Sequence, residues 1–316
     1  MIESIEEYDE SQEKGGLKLL LSFLFFLLVV GLLLFYWFVP TGNSEFILSS
    51  PGHSNFTDAN STNGAQFYEN MRFPSKEISY SLGDCPLQRT NDMEKAFEML
   101  SELTVLNFYQ LQIGEISVNC QDSAKVKKGL FIAGEGGPTN ITRAGEFSII
   151  TQGQILLLRD STCTTPNVAV HELLHVLGFD HSNNRNNIMY KITNCGQTVG
   201  EDLIELINSI YVTQTLPDLA FESVEASMNG KYLGTNISIR NHGLADAGIS
   251  KLIIYADEKK IKEVEVSDIF LGYGRVITLS NIRVSQISVE ELEYVLETNF
   301  LELDKKNNKI KLEIRN

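Results

Sequence analysis

The sequence predicts one N-terminal transmembrane helix, then an α+β domain, then an all-β sandwich. Three observations predict this order. An uncharged apolar run stands near the start, helical and strand-like periodicities mix through the middle, and short alternating runs recur towards the end. A chain of 316 residues is also long for one domain, which favours two folded units.

The apolar run Leu19–Val39 predicts a membrane helix, assigned to 17–39. It carries no charge in 21 positions, and at ~1.5 Å per residue it spans the ~30 Å hydrocarbon layer. A cleaved signal peptide is the alternative, but the run exceeds the usual ~7–15-residue apolar core. Lys14 and Lys18 precede the run and the next basic residue is Arg72. This bias predicts a single-pass protein of the cell membrane with a cytoplasmic N-terminus and an extracellular remainder.

Composition divides the rest of the chain into four segments. Residues 1–16 predict a short acidic cytoplasmic tail, and 40–75, rich in Thr, Gly, Asn, Ser and Pro, predict a stalk or linker. Residues 76–213 carry the mixed α+β pattern. Residues 214–316 carry short alternating runs separated by turn signals such as Asn229-Gly230, which is typical of an antiparallel β-sandwich.

One helix is expected early in the α+β domain. Asn91 or Asp92 is predicted to cap it, because a side-chain oxygen can accept a free N–H of the first turn. Its apolar face follows helical spacing. The residues expected on this face are Met93, Phe97, Leu100 and Thr104.

The charge of the chain argues against one class of partner. The formal net charge is −15 and no stripe of basic residues is present. Because an acidic surface repels phosphate backbones, no nucleic-acid partner is predicted.

All four cysteines follow the apolar run: Cys85, Cys120, Cys163 and Cys195. In an oxidising compartment four cysteines predict two disulfides, with three connectivities open. Pairing between sequence neighbours, Cys85 with Cys120 and Cys163 with Cys195, is favoured. A structural metal site is the alternative, and the absence of C-x-x-C spacing disfavours it.

The stretch HELLHVLGFDH predicts a catalytic zinc site. His171 and His175 are four residues apart and share a helix face. Gly178 permits the left-handed turn that ends a helix, so His181 can return as a third ligand. Three protein ligands leave one position open, which is typical of catalytic zinc. Glu172 can reach a water at the metal and is the predicted general base. An ordinary amphipathic core helix is the alternative.

This stretch resembles the metzincin pattern HExxHxxGxxH. Met189, in Asn-Ile-Met-Tyr, resembles the structural Met-turn of that family, and Ser182 after the third histidine is similar to the matrixin branch, peptidase family M10. The resemblance covers about 75–213. It implies a metzincin-like fold, a mixed twisted sheet plus three helices. It also implies a zinc metalloendopeptidase that hydrolyses extended polypeptides beside an edge strand.

Departures from the family pattern limit what the resemblance implies. Of the five histidines, His53 and His242 lie outside this domain. One catalytic zinc is therefore predicted, with no structural zinc, and no calcium loop is recognisable. Lys191 stands where the family has a proline after the Met-turn tyrosine, which leaves the pocket preference open. The family's cysteine latency device is also missing upstream.

Three motifs in the last domain resemble the CARDB family, an immunoglobulin-like adhesion module of bacteria and archaea. They are Pro217-Asp218-Leu219, Asn241-His242-Gly243 and ELDKKNN at 302–308. The resemblance implies binding of a cell-surface ligand or of substrate. A spacer or stabilising lid is an equal alternative.

The sequence therefore leaves two functions open. The first is a membrane-anchored extracellular zinc endopeptidase with a polypeptide substrate and Glu172 as general base. The alternative is a non-enzymatic surface adhesion protein that uses the β-sandwich. The intact Glu172 favours the enzyme, since a binding scaffold has no need of a general base.

Overall fold

The computed structural model describes residues 11–38, 65–122, 126–127, 130–285 and 289–313, without the side chains of 11–18, 34–38, 126–127 and 130–131. Two compact units divide the chain, Met1–Ser54 and Asn55–Asn316. Residues 1–10 of the predicted acidic tail and most of the predicted stalk lie outside the described residues, whereas residues 11–16 of the tail belong to a helix.

Helix α1, Ser11–Phe38, forms the described part of the first unit. It covers most of the predicted span 17–39. Among the residues that the structure describes, no helix is long and apolar enough to cross a membrane. The side chains at both ends of α1 lie outside the described set, so the membrane span stays a prediction.

The second unit opens with the predicted α+β domain. Its elements are β1 (Met71–Arg72), β2 (Glu77–Leu82), α2 (Leu87–Leu103), β3 (Asn107–Gln110), β4 (Ile116–Cys120), β5 (Val126–Lys127), β6 (Leu130–Phe131), β7 (Gly134–Ala144), β8 (Phe147–Leu157), α3 (Asn167–Val176) and α4 (Glu201–Ile210). The main sheet has the order β1-β8-β4-β2-β3, and these neighbours are parallel. β7 pairs antiparallel with β8. The predicted mixed sheet with helices is therefore confirmed.

Helix α2 begins earlier than the sequence predicts. Its N-cap is Pro86 and its first residue is Leu87, whereas the sequence predicts a cap at Asn91 or Asp92. The proline ring fixes φ of the cap residue at −55°, and the helix begins at the next residue, Leu87. The predicted apolar face is otherwise correct: Met93, Phe97 and Leu100 are buried, and Thr104 is the C-cap.

Residues 65–75 lie in the folded unit, although the sequence assigns them to the stalk. Met71 and Phe73 are buried, and β1 pairs with β8. The folded unit therefore includes residues upstream of the predicted boundary at 75. The segment shows no periodicity because it joins the core through single side chains and short backbone pairings.

Arg72 is fully buried and joins this segment to the end of α4. Its guanidinium donates to the carbonyl of Ile210 at 2.8 Å and to that of Thr213 at 3.2 Å. It also lies 4.3 Å from the centre of the Tyr211 ring. The Ile210 carbonyl at the end of α4, which has no partner within the helix, is satisfied in this way, as is the Thr213 carbonyl just beyond it.

The C-terminal part is all-β, as predicted. Its elements are β9 (Leu219–Asn229), β10 (Tyr232–Asn241), β11 (Ser250–Ala256), β12 (Lys259–Val266), β13 (Gly274–Arg283), β14 (Glu291–Glu297), a 3-10 turn (Lys306–Asn308) and β15 (Lys309–Glu313). Two antiparallel sheets form, β13-β10-β9 and β12-β11-β14-β15. Side chains such as Ile237 and Leu252 from the two sheets meet in one core.

The β7–β8 hairpin packs on this C-terminal part. Ala144 and Phe147 at its tip form an apolar cluster with Leu244. Gly145, at φ +57°, lies so close to His242 that a Cβ there would be 3.0 Å from the His242 carbonyl oxygen. The β-sandwich therefore supports the hairpin that contains the edge strand β7.

We expect Arg72→Leu to lower the free energy of unfolding by about 2–4 kcal/mol, because buried carbonyls lose their donor. Chemical unfolding followed by circular dichroism measures this. The matched change at exposed Arg185, Arg185→Leu, is expected to stay within about 0.5 kcal/mol. Equal effects of the two changes would contradict the role of Arg72.

Candidate metal centre

Helix α3 carries the first two predicted ligands inside the protein. His171 is 4% exposed, and Glu172 and His175 are each 7% exposed. The start of the helix is held by Asn167, whose Nδ2 donates to the Asn194 carbonyl at 2.7 Å. The helix is thereby tied to the irregular segment that follows the metal-binding stretch.

Gly178 turns the chain after the helix, as predicted. Its φ is +96°, and a Cβ at this position would lie 2.7 Å from Met71 Sδ. Only glycine satisfies both the left-handed backbone and this close approach. The turn returns His181, whose side chain is 47% exposed, to the two helical histidines.

The three predicted ligands converge on one point. His171, His175 and His181 each offer a ring nitrogen, and these atoms lie within 4.8 Å of one another. The Nε2 atoms of His175 and His181 are 3.2 Å apart. Two nitrogens bound to one tetrahedral zinc at ~2.0–2.1 Å are about 3.4 Å apart. The donor set therefore fits zinc.

Backbone carbonyls orient the two helical imidazoles. His171 Nδ1 donates to the Ile188 carbonyl at 2.7 Å, and His175 Nδ1 donates to the Phe179 carbonyl at 2.7 Å. A carbonyl can only accept, so Nδ1 carries the proton in both rings. Each Nε2 then presents its lone pair, which is the arrangement that metal-binding histidines need.

Burial also favours the ligand form of these histidines. Desolvation lowers the pKa of His175 to about 4, and the neighbouring His171 adds to the shift. Desolvation lowers the pKa of His171 and of His181 as well. Neutral imidazoles bind a cation without first losing a proton.

The Glu172 side chain on α3 packs against the edge strand β7. A Cβ at Gly134 would be 2.7 Å from Glu172 Cγ, and a Cβ at Gly136 would be 2.4 Å from the Glu172 carbonyl oxygen. Burial raises the pKa of the Glu172 carboxyl to about 8, the charge of Glu135 adds to this, and the Gly136 N–H opposes it. The close contact with β7 explains why the carboxyl is desolvated.

The predicted Met-turn is joined to the metal-binding stretch by backbone hydrogen bonds. Met189 is 2% exposed, and its carbonyl accepts the Ser182 N–H at 2.8 Å. The same turn supplies the Ile188 carbonyl to His171. The backbone of this turn therefore holds His171, a predicted ligand, and Ser182, which follows the predicted ligand His181.

Both favoured disulfides are present. Cys85 bonds Cys120, and Cys163 bonds Cys195. The second encloses α3 and all three histidines in one covalent loop. Within the described ranges, the histidine triad is the one group of three metal-ligating side chains close enough to share an ion. The expected absence of a structural zinc and of calcium stays a prediction.

Sequence reasoning missed the residues that support the ligands. The carbonyls of Phe179 and Ile188 carry no side-chain signal at all. Gly134 and Gly136 do carry a signal in the sequence, because glycines inside a strand often mark a close approach of another backbone. What they approach could not be inferred, since Glu172 lies on a separate element.

We expect Gly136→Ala to lower the free energy of unfolding by about 1–3 kcal/mol, because the new methyl overlaps the backbone of Glu172. Gly137→Ala is the matched control, since nothing lies within 4 Å of a Cβ there. Thermal unfolding compares the two variants. An unchanged Gly136→Ala protein would show that β7 can move away from α3 at no cost.

One comparison with known proteins covers the metal-binding stretch. The matrixin family model, Peptidase_M10, matches residues 73–212. A search of curated proteins found no match. Among solved structures, a crystal structure of the CARDB domain of a Pyrococcus furiosus protein in complex with di-metal ions has 15% identity, covers 31% of this chain and 88% of that chain, and has a TM-score of 0.27. A solution NMR structure of the same domain has 16% identity, covers 31% of this chain and 94% of that chain, and also has a TM-score of 0.27.

The matched range contains α2, α3 and α4 together with all three histidines. A matrixin match supports zinc binding and metalloprotease activity in general, and the converging imidazoles fit such an ion. Residues 73–212 of this chain are therefore similar to the matrixin family.

Proposed function

We propose that this protein is a membrane-anchored, extracellular zinc endopeptidase in which His171, His175 and His181 hold one zinc ion and Glu172 is the general base. The observation that carries the proposal is the convergence of three ring nitrogens within 4.8 Å, beside a buried carboxyl. The matrixin match supports the same chemistry.

Zinc, when bound, supplies a Lewis acid that polarises a carbonyl and lowers the pKa of water. Glu172 accepts a proton from the attacking water and delivers it to the nitrogen of the departing amine. A cation at the histidines also favours the ionised carboxylate, which offsets the desolvation that raises the Glu172 pKa. The base is therefore available at neutral pH.

Strand β7 offers a place for an extended polypeptide. It pairs with β8 on one side and, among the described strands, has no partner on the other. An extended peptide can add to such an edge through backbone hydrogen bonds. Because Gly134 and Gly136 bring this strand against Glu172, a peptide bound there passes close to the base.

The extracellular placement is supported by two features. Both disulfides are formed, and disulfides persist in oxidising compartments. The apolar run with Lys14 and Lys18 before it favours an N-terminus that stays in the cytoplasm.

The non-enzymatic alternative has less support. An adhesion protein needs neither three oriented imidazoles nor a buried carboxyl beside them. Both groups are costly to bury, and here His171, Glu172 and His175 are each less than 10% exposed. A cell-surface ligand of the β-sandwich is compatible with either function.

We expect Glu172→Gln to bind about one zinc ion per chain while kcat/KM for a denatured polypeptide falls at least ~100-fold, because the base is lost and the ligands are kept. Metal analysis and hydrolysis of unfolded casein, with and without a zinc chelator, measure both. Glu205→Gln changes an exposed carboxyl on α4 and serves as the control.

The outcomes separate the functions. Hydrolysis by Glu172→Gln at the rate of the Glu205→Gln control would overturn the base assignment. Zinc binding without hydrolysis by any form would favour the adhesion alternative.

We expect the full chain to stay in the membrane pellet after an alkaline wash. The double change Leu28→Arg and Val29→Arg should release it, since each arginine near the bilayer centre costs about 2.5–3.5 kcal/mol. The same two positions changed to alanine form the control and should remain in the pellet. Release of the unchanged chain would contradict the membrane anchor.

A further inference from the structure

A short segment before the matrixin-matched range pairs with the metal-binding loop. Phe67 N–H donates to the Gly178 carbonyl at 2.9 Å, and Asp180 N–H donates to the Ala65 carbonyl at 3.0 Å. Gln66 and Phe179 face each other between these bonds as an antiparallel bridge. Residues 65–70, named here the N-terminal clasp, therefore hold the loop that joins the second ligand to the third.

The loop 178–180 orients the His175 ring and positions the backbone of His181. The Phe179 carbonyl accepts His175 Nδ1–H at 2.7 Å. Asp180 Oδ1 accepts the backbone N–H of His181 at 2.6 Å. Any shift of the loop backbone therefore moves the acceptor that orients one imidazole and the residue that carries the other.

The clasp also contacts a ligand directly. The Phe67 ring stacks on the His175 ring with centroids 5.7 Å apart and planes inclined by 21°. Gln66, only 8% exposed, exchanges hydrogen bonds with the Met71 backbone at 2.7 and 3.2 Å. The position of Phe67 is thus fixed to β1 and from there to the central sheet.

We propose that the N-terminal clasp is a positioning element of the metal centre, with Phe67 holding His175 and the 65–67 backbone holding the path to His181. The inference rests on the proposed function, because it assigns these residues to the same zinc site. Neighbours that orient metal ligands typically contribute 10–100-fold in metal affinity. The active centre therefore extends upstream of residue 73, into the segment that leads to the predicted stalk.

Zinc affinity of full-length variants, measured by competition with a chromophoric chelator, tests this proposal. We expect Phe67→Ala to raise the zinc Kd about 10–100-fold. Phe67→Tyr keeps the ring, so its zinc Kd should lie within about twofold of that of the unchanged protein. Phe108→Ala is the matched control. Phe108 is also half-buried against the same core, but its ring packs on Phe97, 5.1 Å away.

Chemical unfolding of the apoproteins separates positioning from general packing. Both alanine variants should unfold more easily, while only Phe67→Ala should lose zinc affinity. An unchanged Kd in Phe67→Ala, or an equal loss in Phe108→Ala, overturns the inference and leaves the peptidase proposal intact. If Phe67→Ala does not fold, Phe67→Leu decides, since it keeps apolar volume without a ring to stack. A wild type that binds no zinc overturns both proposals.

Discussion

The candidate metal centre depends on two hydrogen bonds whose acceptors are backbone carbonyls. His171 and His175 each donate a hydrogen bond from Nδ1–H to a backbone carbonyl. Both Nε2 lone pairs are then free to point towards the same position. The carbonyls come from Ile188 and Phe179, which lie on irregular backbone after α3. The helix supplies the spacing of the two rings, but their orientation depends on how the following segment is folded.

The β7–β8 hairpin connects the two halves of the second unit. Near one end, Gly134 and Gly136 bring β7 against Glu172. At the other end, Ala144 and Phe147 pack with Leu244 of the β-sandwich. The sandwich thus supports the strand that desolvates the Glu172 carboxyl. A stabilising role for the sandwich follows from this packing, whether or not it also binds a ligand.

Features with local spacing could be predicted from the sequence, and those that depend on distant backbone could not. The histidines and the left-handed Gly178 follow from the period of one helix and its end. The start of α2 was misplaced because Asn91 is a good cap by type, while Pro86 after a disulfide begins the helix earlier. The role of Phe67 was missed because its partners, Gly178 and His175, are remote in sequence.

The three predicted ligands differ in how firmly the fold holds them, and this difference explains the supporting structure. His171 and His175 are buried on a helix, where backbone order is already supplied by α3. His181 is 47% exposed and follows a turn, so ordering it costs conformational entropy that metal binding must offset. The Cys163–Cys195 bond closes the segment around it, and the N-terminal clasp pairs with the residues just before it. Both constraints act on the segment after α3, which the helix does not order. Each lowers the conformational entropy that this segment would still lose on binding zinc.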